Sequence, residues 1–248
     1  MFNPYKTKMM TELNKKYKPY NPHYNEHELE VFRHFIISGK TGAGKTASVI
    51  NLISTMKKCF AKIIIYTPNL KEPLYLGLKQ KLEDQVEINL IDEIPLVIEH
   101  QNPDFEQRLI IIDDFITQPK SILKIIDDYA MRGRQQKMTC CFLTQQFYKC
   151  STTIRANCSY LVLLKIADKR NLSLIVSTIA SDIKPDIIKR CIKNAVKYNL
   201  NICCINLNDA HINKTIKRNF KLDYYILEDE NEQQISNPVL FEGSGLVN

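Results

Sequence analysis

The stretch Gly39-Lys40-Thr41-Gly42-Ala43-Gly44-Lys45-Thr46 fits the pattern G-x-x-x-x-G-K-[ST] in full, and it limits most sharply what these 248 residues can form. The apolar run His34-Phe35-Ile36-Ile37-Ser38 precedes it, and Val49, Leu52, Ile53 and Met56 follow at helical spacing. A loop set between a strand and a helix in this way lets backbone N–H groups converge on phosphate oxygens without Cβ clashes. The helix N-terminus adds partial positive charge. Lys45 is then expected to reach the β- and γ-phosphates, and the Thr46 hydroxyl to ligate Mg²⁺. A chance Gly-rich turn is the plainer alternative, but three of only seven glycines stand here, in the context the motif requires. ATP with Mg²⁺ is the expected ligand pair.

Short β-branched runs alternate with helical patterns on both sides of the loop. Strands are expected at Phe35–Ile37, Lys62–Thr67, Val86–Leu90, Leu109–Asp113, Thr139–Thr144, Tyr160–Lys165 and Asn201–Leu207. Several are apolar without interruption, as in a sheet buried on both faces. Ile187, Ile188, Cys191, Ile192 and Val196 repeat at helical spacing, with Pro185 where a first helical turn accepts it. Alternation of this kind predicts an α/β fold: a mainly parallel sheet with helices on both faces.

Two further stretches carry chemistry. Arg108-Leu109-Ile110-Ile111-Ile112-Asp113-Asp114 is a buried strand ending in two acids. Downstream of a phosphate loop, Asp113 is expected to hold the Mg²⁺ shell and Asp114 to orient the attacking water. A strand capped by a polar turn is the bland alternative, and the loop upstream decides against it. Asp127–Asp128 falls inside a helical pattern, and Asp92–Glu93 ends a less apolar strand. Thr139–Thr144 runs into Gln145-Gln146. Inserted between the phosphate-loop strand and the acidic strand, it would aim Gln145 at the γ-phosphate, although the same residues also fit a Gln-rich loop. Arg132 and Arg134 flank Gly133 just before that strand. They read equally as a solvated helix end or as a finger that reaches a neighbour's nucleotide.

Charge is +7 overall and unevenly spread. Lys165–Lys221 holds twelve Lys or Arg against four Asp, whereas Leu222–Asn248 holds six acids and no base. The first twenty residues carry five lysines against one Glu. The expected organisation is a basic arm over 1–27, a phosphate-loop domain over 28–222 and an acidic tail over 223–248. A basic balance is compatible with nucleic acid, but Lys-rich faces are often only solvated. No apolar run approaches the ~20 residues that span a bilayer, and the N-terminus lacks the apolar core of a signal peptide. The eight Cys include no C-x-x-C pair and read as reduced core thiols.

In order, the loop, IIIDDF, RGRQQKMTCCFLTQQ and TTIRANCSYLVLLK resemble the FtsK–HerA superfamily of DNA-pumping ATPases. Within it, the chain looks like the poxvirus-type virion packaging ATPases of large DNA viruses and virophages. The matching positions are Arg134, Thr144-Gln145 and Ile154-Arg155-Ala156-Asn157, and NICCINLNDAHINKTIKRNF looks like the closing strand and basic turn. The likeness covers about Phe32 to Tyr225. It departs at Asp114, where cellular members usually carry Glu, and at Gln135, where pox-type relatives often carry His. The resemblance implies a three-layer P-loop NTPase of the RecA/ASCE type. It implies a ring homo-oligomer of five or six subunits acting on double-stranded DNA, with Arg134 as a finger in trans and Arg132 and Arg155 as runners-up. It also implies capsid vertex proteins as partners and a location in the virion or the viral factory of the host cytoplasm. A nucleotide-gated switch that moves nothing is the rival reading. A small kinase falls behind, because the eight Arg of the chain form no lid-like cluster.

Overall fold

In the computed structural model the described residues are 19–95, 106–115, 118–166, 169–179, 184–198, 200–208 and 215–225. Most of the basic arm and nearly all of the acidic tail therefore lie outside the described residues. So do parts of the basic stretch 165–221.

The elements run α1 (Tyr24–His27), β1 (His34–Ser38), α2 (Lys45–Thr55), β2 (Lys62–Tyr66), α3 (Pro73–Leu82), β3 (Glu87–Ile91) and β4 (Arg108–Ile112). Then follow α4 (Lys120–Arg132), β5 (Met138–Thr144), α5 (Thr152–Asn157), β6 (Cys158–Leu163), α6 (Lys169–Ile179) and α7 (Pro185–Ala195). The series closes with β7 (Cys203–Asn206), β8 (Ile216–Arg218) and β9 (Asp223–Tyr224). The strands form one sheet in the order β3-β2-β4-β5-β1-β6-β7-β8-β9. From β3 to β6 neighbours pair in parallel, and β7, β8 and β9 add antiparallel at the far edge. All seven expected strands form. β5, which runs into Gln145, sits between the phosphate-loop strand and the acidic strand, the placement in which Gln145 would be aimed at a γ-phosphate.

Alternation along each strand sends successive side chains to opposite faces. Ile64, Ile110, Ile112 and Phe142 point to one core with Tyr129 of α4, Ile175 of α6 and Ile188 and Ile192 of α7. Ile63, Ile65, Leu109 and Ile111 point to the other with Val49 and Leu52 of α2 and Tyr75 and Leu78 of α3. With both faces covered, every residue of β1, β4, β5 and β6 is buried. That is why these strands read as unbroken apolar runs. Adjacent cysteines obey the same rule: Cys140 and Cys203 join the first core, Cys141 and Cys204 the second. All eight thiols are free and buried, and burial pushes those of Cys140, Cys141, Cys158, Cys203 and Cys204 above the ordinary thiol range.

Two residues of the basic stretch are tied down in three dimensions. Lys217 is 3% exposed and donates to the His27 carbonyl, strapping the end of α1 to β8. Arg218 is held by the Tyr225 hydroxyl at 3.2 Å. The basic run of the sequence is thus not a single surface.

Candidate functional site

The C-terminal ends of β1, β4 and β5 lie side by side, and the chain leaves each of them through a polar turn. After β1, Gly42 and Gly44 take φ of 74° and 95°, a left-handed region in which a side chain would strain the backbone. Gly39 is small for another reason. A Cβ there would stand 2.9 Å from that of Leu164, just beyond β6. The loop is tied to β5 by the Gly39 N–H, which donates to the Thr144 carbonyl at 3.1 Å.

Lys45 opens α2 and folds its ammonium back over the loop, donating to the carbonyls of Gly39 at 3.0 Å and Lys40 at 3.3 Å. Burial lowers its pKa, and the carboxylates of Asp113 and Asp114 oppose that shift. At the end of β4, burial raises the pKa of Asp113, opposed by a hydrogen bond from Tyr75 and by the Lys45 charge. Ammonium and carboxylates thus share one half-buried corner. Asp114 stands at φ 52°, a conformation Asp tolerates better than most residues. Its Oδ1 accepts from Gln145 Nε2 at 3.2 Å, which links the ends of β4 and β5.

Tyr75 on α3 completes the corner, and the motifs do not announce it. Its ring is wholly buried, its hydroxyl donates to Asp113 Oδ2 at 2.9 Å, and Thr46 lies near enough to the same phenol to oppose the rise in its pKa slightly. Burial and the neighbouring carboxylate hold the phenol protonated, so it acts as a donor towards Asp113. The one sequence signal was the spacing of Tyr75, Leu78 and Leu82, which marks a core face and accounts for the ring but not for the hydroxyl.

The structure therefore brings together Lys45, Thr46, Asp113, Asp114 and Gln145 around the loop Gly39–Thr46. The arginines lie elsewhere. Arg134 follows α4 at the opposite end of β5, close enough to His34, the first residue of β1, to depress its pKa. Seven residues of β5 separate it from the phosphate loop, roughly 20 Å at strand rise. Arg132 ends α4 at the same edge. Arg155 on α5 donates to the carbonyls of Tyr148 and Cys150, with its guanidinium 5.8 Å from the Phe147 ring centre.

Thr46 and Asp113 supply a hydroxyl and a carboxylate, the hard oxygen donors that Mg²⁺ prefers. Among the described residues no group of three or more His, Cys, Asp or Glu side chains could hold a metal ion. This corner suits a cation that takes the rest of its shell from phosphate and water.

The poxvirus A32 protein family matches residues 22–214, well over half of the chain. No curated protein matches the sequence at significance. Among solved structures, the DNA-packaging ATPase B204 of Sulfolobus turreted icosahedral virus superposes with a TM-score of 0.54 at 12% identity. That match covers 77% of this chain and 98% of B204. The genome packaging NTPase B204 of Sulfolobus turreted icosahedral virus 2, in complex with AMPPCP, gives 0.52 at 13% identity over 75% and 96%. EssC (ATPases 2 and 3) of Geobacillus thermodenitrificans gives 0.51 at 11%, covering 82% of this chain and 41% of that one. At such identities these likenesses show the fold, a P-loop NTPase with a mainly parallel sheet. No described helix is long and apolar enough to cross a membrane.

Proposed function

The chain belongs to the poxvirus A32 protein family, and from that membership and the corner built on its phosphate loop we propose that it is an ATPase that drives double-stranded DNA into a capsid. The observation that carries this reading is the convergence of Lys45, Thr46, Asp113, Asp114 and Gln145 at the ends of three adjacent strands. Two solved structures of like fold are packaging enzymes, one of them in complex with an ATP analogue.

In this reading the backbone of Gly39–Lys45 cradles the phosphates, and Lys45 leaves the loop carbonyls for the β- and γ-phosphate oxygens. Thr46 and Asp113 hold Mg²⁺, which neutralises phosphate charge when bound. Asp114 accepts a hydrogen bond from the attacking water, while Gln145, already bonded to Asp114, steers that carboxylate and senses the γ-phosphate. The water oxygen bonds to the γ-phosphorus, whose bond to the β–γ bridging oxygen breaks with its electron pair left on ADP. One water proton stays on the phosphate, and the other passes to solvent. A further catalytic cation comes from Arg134 of a neighbour in a ring of five or six, because the length of β5 separates Arg134 from its own loop.

DNA is gripped through its backbone with little sequence preference, as a motor that passes a whole genome requires. Capsid vertex proteins and a virion or viral-factory location complete the proposal. Steady-state ATP hydrolysis with and without double-stranded DNA, read beside the mass in solution, tests it. Hydrolysis should be stimulated by DNA and lost in Lys45→Ala, which retains its fold. Turnover indifferent to DNA would favour a nucleotide-gated switch, and near wild-type hydrolysis by Lys45→Ala would overturn the assignment of the loop.

A further inference from the structure

A nucleotide held by the phosphate loop has a direction. With its γ-phosphate set towards Asp114 and Gln145, on the β4 and β5 side of β1, its sugar and base leave on the other side. There β6, β7 and β8 follow in order. Ser38, Leu163, Cys203 and Arg218 stand in one row across these strands. The turn that enters β7 therefore opens at the same end of the sheet as the phosphate loop.

That turn carries two large side chains out in water. Leu200 is 70% exposed and Tyr198 63%. Leu200 also holds a φ of 64°, in the left-handed region that a bulky residue rarely enters. The Asn201 N–H closes the turn on the Tyr198 carbonyl at 3.2 Å. The strain brings no burial, so core packing does not account for it. What it brings is a contact. A Cβ on Gly44 would stand 3.0 Å from Leu200 Cδ2 and 3.7 Å from Leu164 Cδ2. Leu200 thus rests on the phosphate loop one residue ahead of Lys45, from the β7 side. The Lys197 ammonium lies over the Tyr198 ring, 5.6 Å from its centre.

We infer that Leu200 and Tyr198 form the platform for the base of the bound nucleotide. The inference rests on the ATPase reading above and adds to it the residues that hold the other end of ATP. Leu200 supplies an apolar floor beside the phosphates. Tyr198, two residues earlier, supplies an aromatic face, with Lys197 on the other side of its ring. A base presents a flat π-face that gains by leaving water for such a surface. An inorganic polyphosphate gains nothing there, so the platform lets the site tell a nucleotide from a bare phosphate chain.

Calorimetric titrations with ATP and with tripolyphosphate, each with Mg²⁺, test it. Leu200→Gly and Tyr198→Ala should each weaken ATP about tenfold, as loss of one stacking contact predicts, and leave tripolyphosphate unchanged. Glycine suits the left-handed backbone, so the denaturant midpoint of Leu200→Gly should hold or rise while its ATP affinity falls. A residue that only shaped the turn would not part the two readings. ATP affinity unchanged in Leu200→Gly, or an equal loss for tripolyphosphate, overturns the platform and leaves the phosphate loop standing. A change of mass in solution with ATP affinity intact also overturns it, and makes the pair a contact between copies. Wild-type protein that binds neither ligand refutes the ATPase reading and the platform with it.

Discussion

At Tyr75 the cost of burying a hydroxyl is offset by the Asp113 carboxylate 2.9 Å away, and the same phenol meets Thr46. One side chain thus steadies Asp113 beside Thr46 before any nucleotide arrives, which lowers the ordering cost of binding. Tyr75→Phe keeps the buried ring and loses only the tether. A hydrogen bond to a charged group contributes about 1.5–3 kcal/mol. The Mg²⁺ concentration for half-maximal nucleotide binding should therefore rise about tenfold, while turnover at saturating Mg²⁺ changes little. An unchanged magnesium midpoint would leave Tyr75 with a packing role only. Asp114→Asn separates the two acids from the other side. It should bind ATP with Mg²⁺ as tightly as wild type and lose turnover, read by nucleotide binding and single-turnover hydrolysis. Normal hydrolysis by that variant would place water orientation on another residue.

The central element, β1, lies between β5 and β6 and is pinned at its first residue by an unusual contact. His34 is 2% exposed, and its Nδ1 accepts from the Cys140 N–H at 3.0 Å, so the ring must stay neutral. Burial first, then the charges of Arg134 and Arg33, push its pKa down from 6.5 to about 4. A group whose folded pKa lies below its unfolded value stabilises the fold above the unfolded value, and that contribution fades as pH falls towards the folded one. The window here is from pH 6.5 to about 4. At pH 5 this histidine alone should lower stability by about 2 kcal/mol relative to pH 7.5. Denaturant midpoints at the two pH values measure it, and His34→Gln, which can still accept from Cys140, should shrink the difference. An identical pH dependence in the variant would show that other groups carry the acid sensitivity. Next to this strand end, Gly133 explains the spacing of the two arginines. A Cβ there would stand 2.5 Å from the Tyr129 carbonyl oxygen and 3.0 Å from Cys140 Sγ. The tight turn that places Arg134 therefore admits only glycine.

At the scale of the molecule, the phosphate loop and Arg134 lie at opposite ends of the central strands of one sheet. In the proposed ring, a subunit alone would have a complete cradle and no finger, and each subunit would complete its neighbour. Arg134→Ala should bind ATP normally and lose turnover, since a finger stabilises the transition state more than the ground state. Fingers in other phosphoryl-transfer systems contribute roughly 10³–10⁵-fold. Mixing Arg134→Ala with Lys45→Ala should restore part of the activity, because mixed rings set an intact finger beside an intact cradle. Absence of recovery in rings shown to mix would leave Arg134 with a structural role. Grip on DNA should show in the salt dependence of affinity, with a log–log slope of about −0.9 per phosphate neutralised. Because Lys217 is buried and Arg218 engaged, that slope should reflect fewer charges than the basic stretch of sequence contains.

The order of strands and helices, the loop and the acidic strand end were legible in the residues themselves. Their signals are local: glycine at the positions of positive φ, apolar runs where both faces of a sheet are covered, and acids where a strand leaves the core. The insertion of the Thr139–Thr144 strand beside the loop stayed open in the residues, whose polar end also fits a Gln-rich loop, and the sheet order decided it. Tyr75 was not legible, nor was the division of the basic run into buried and engaged residues. Tyr75 and Asp113 come from different elements, and their partnership depends on how α3 packs against the sheet. Hydrophobic periodicity decides which side of an element is buried, but where a polar atom on that side finds its partner is set by the neighbour that covers it. That neighbour exists only once the chain has folded.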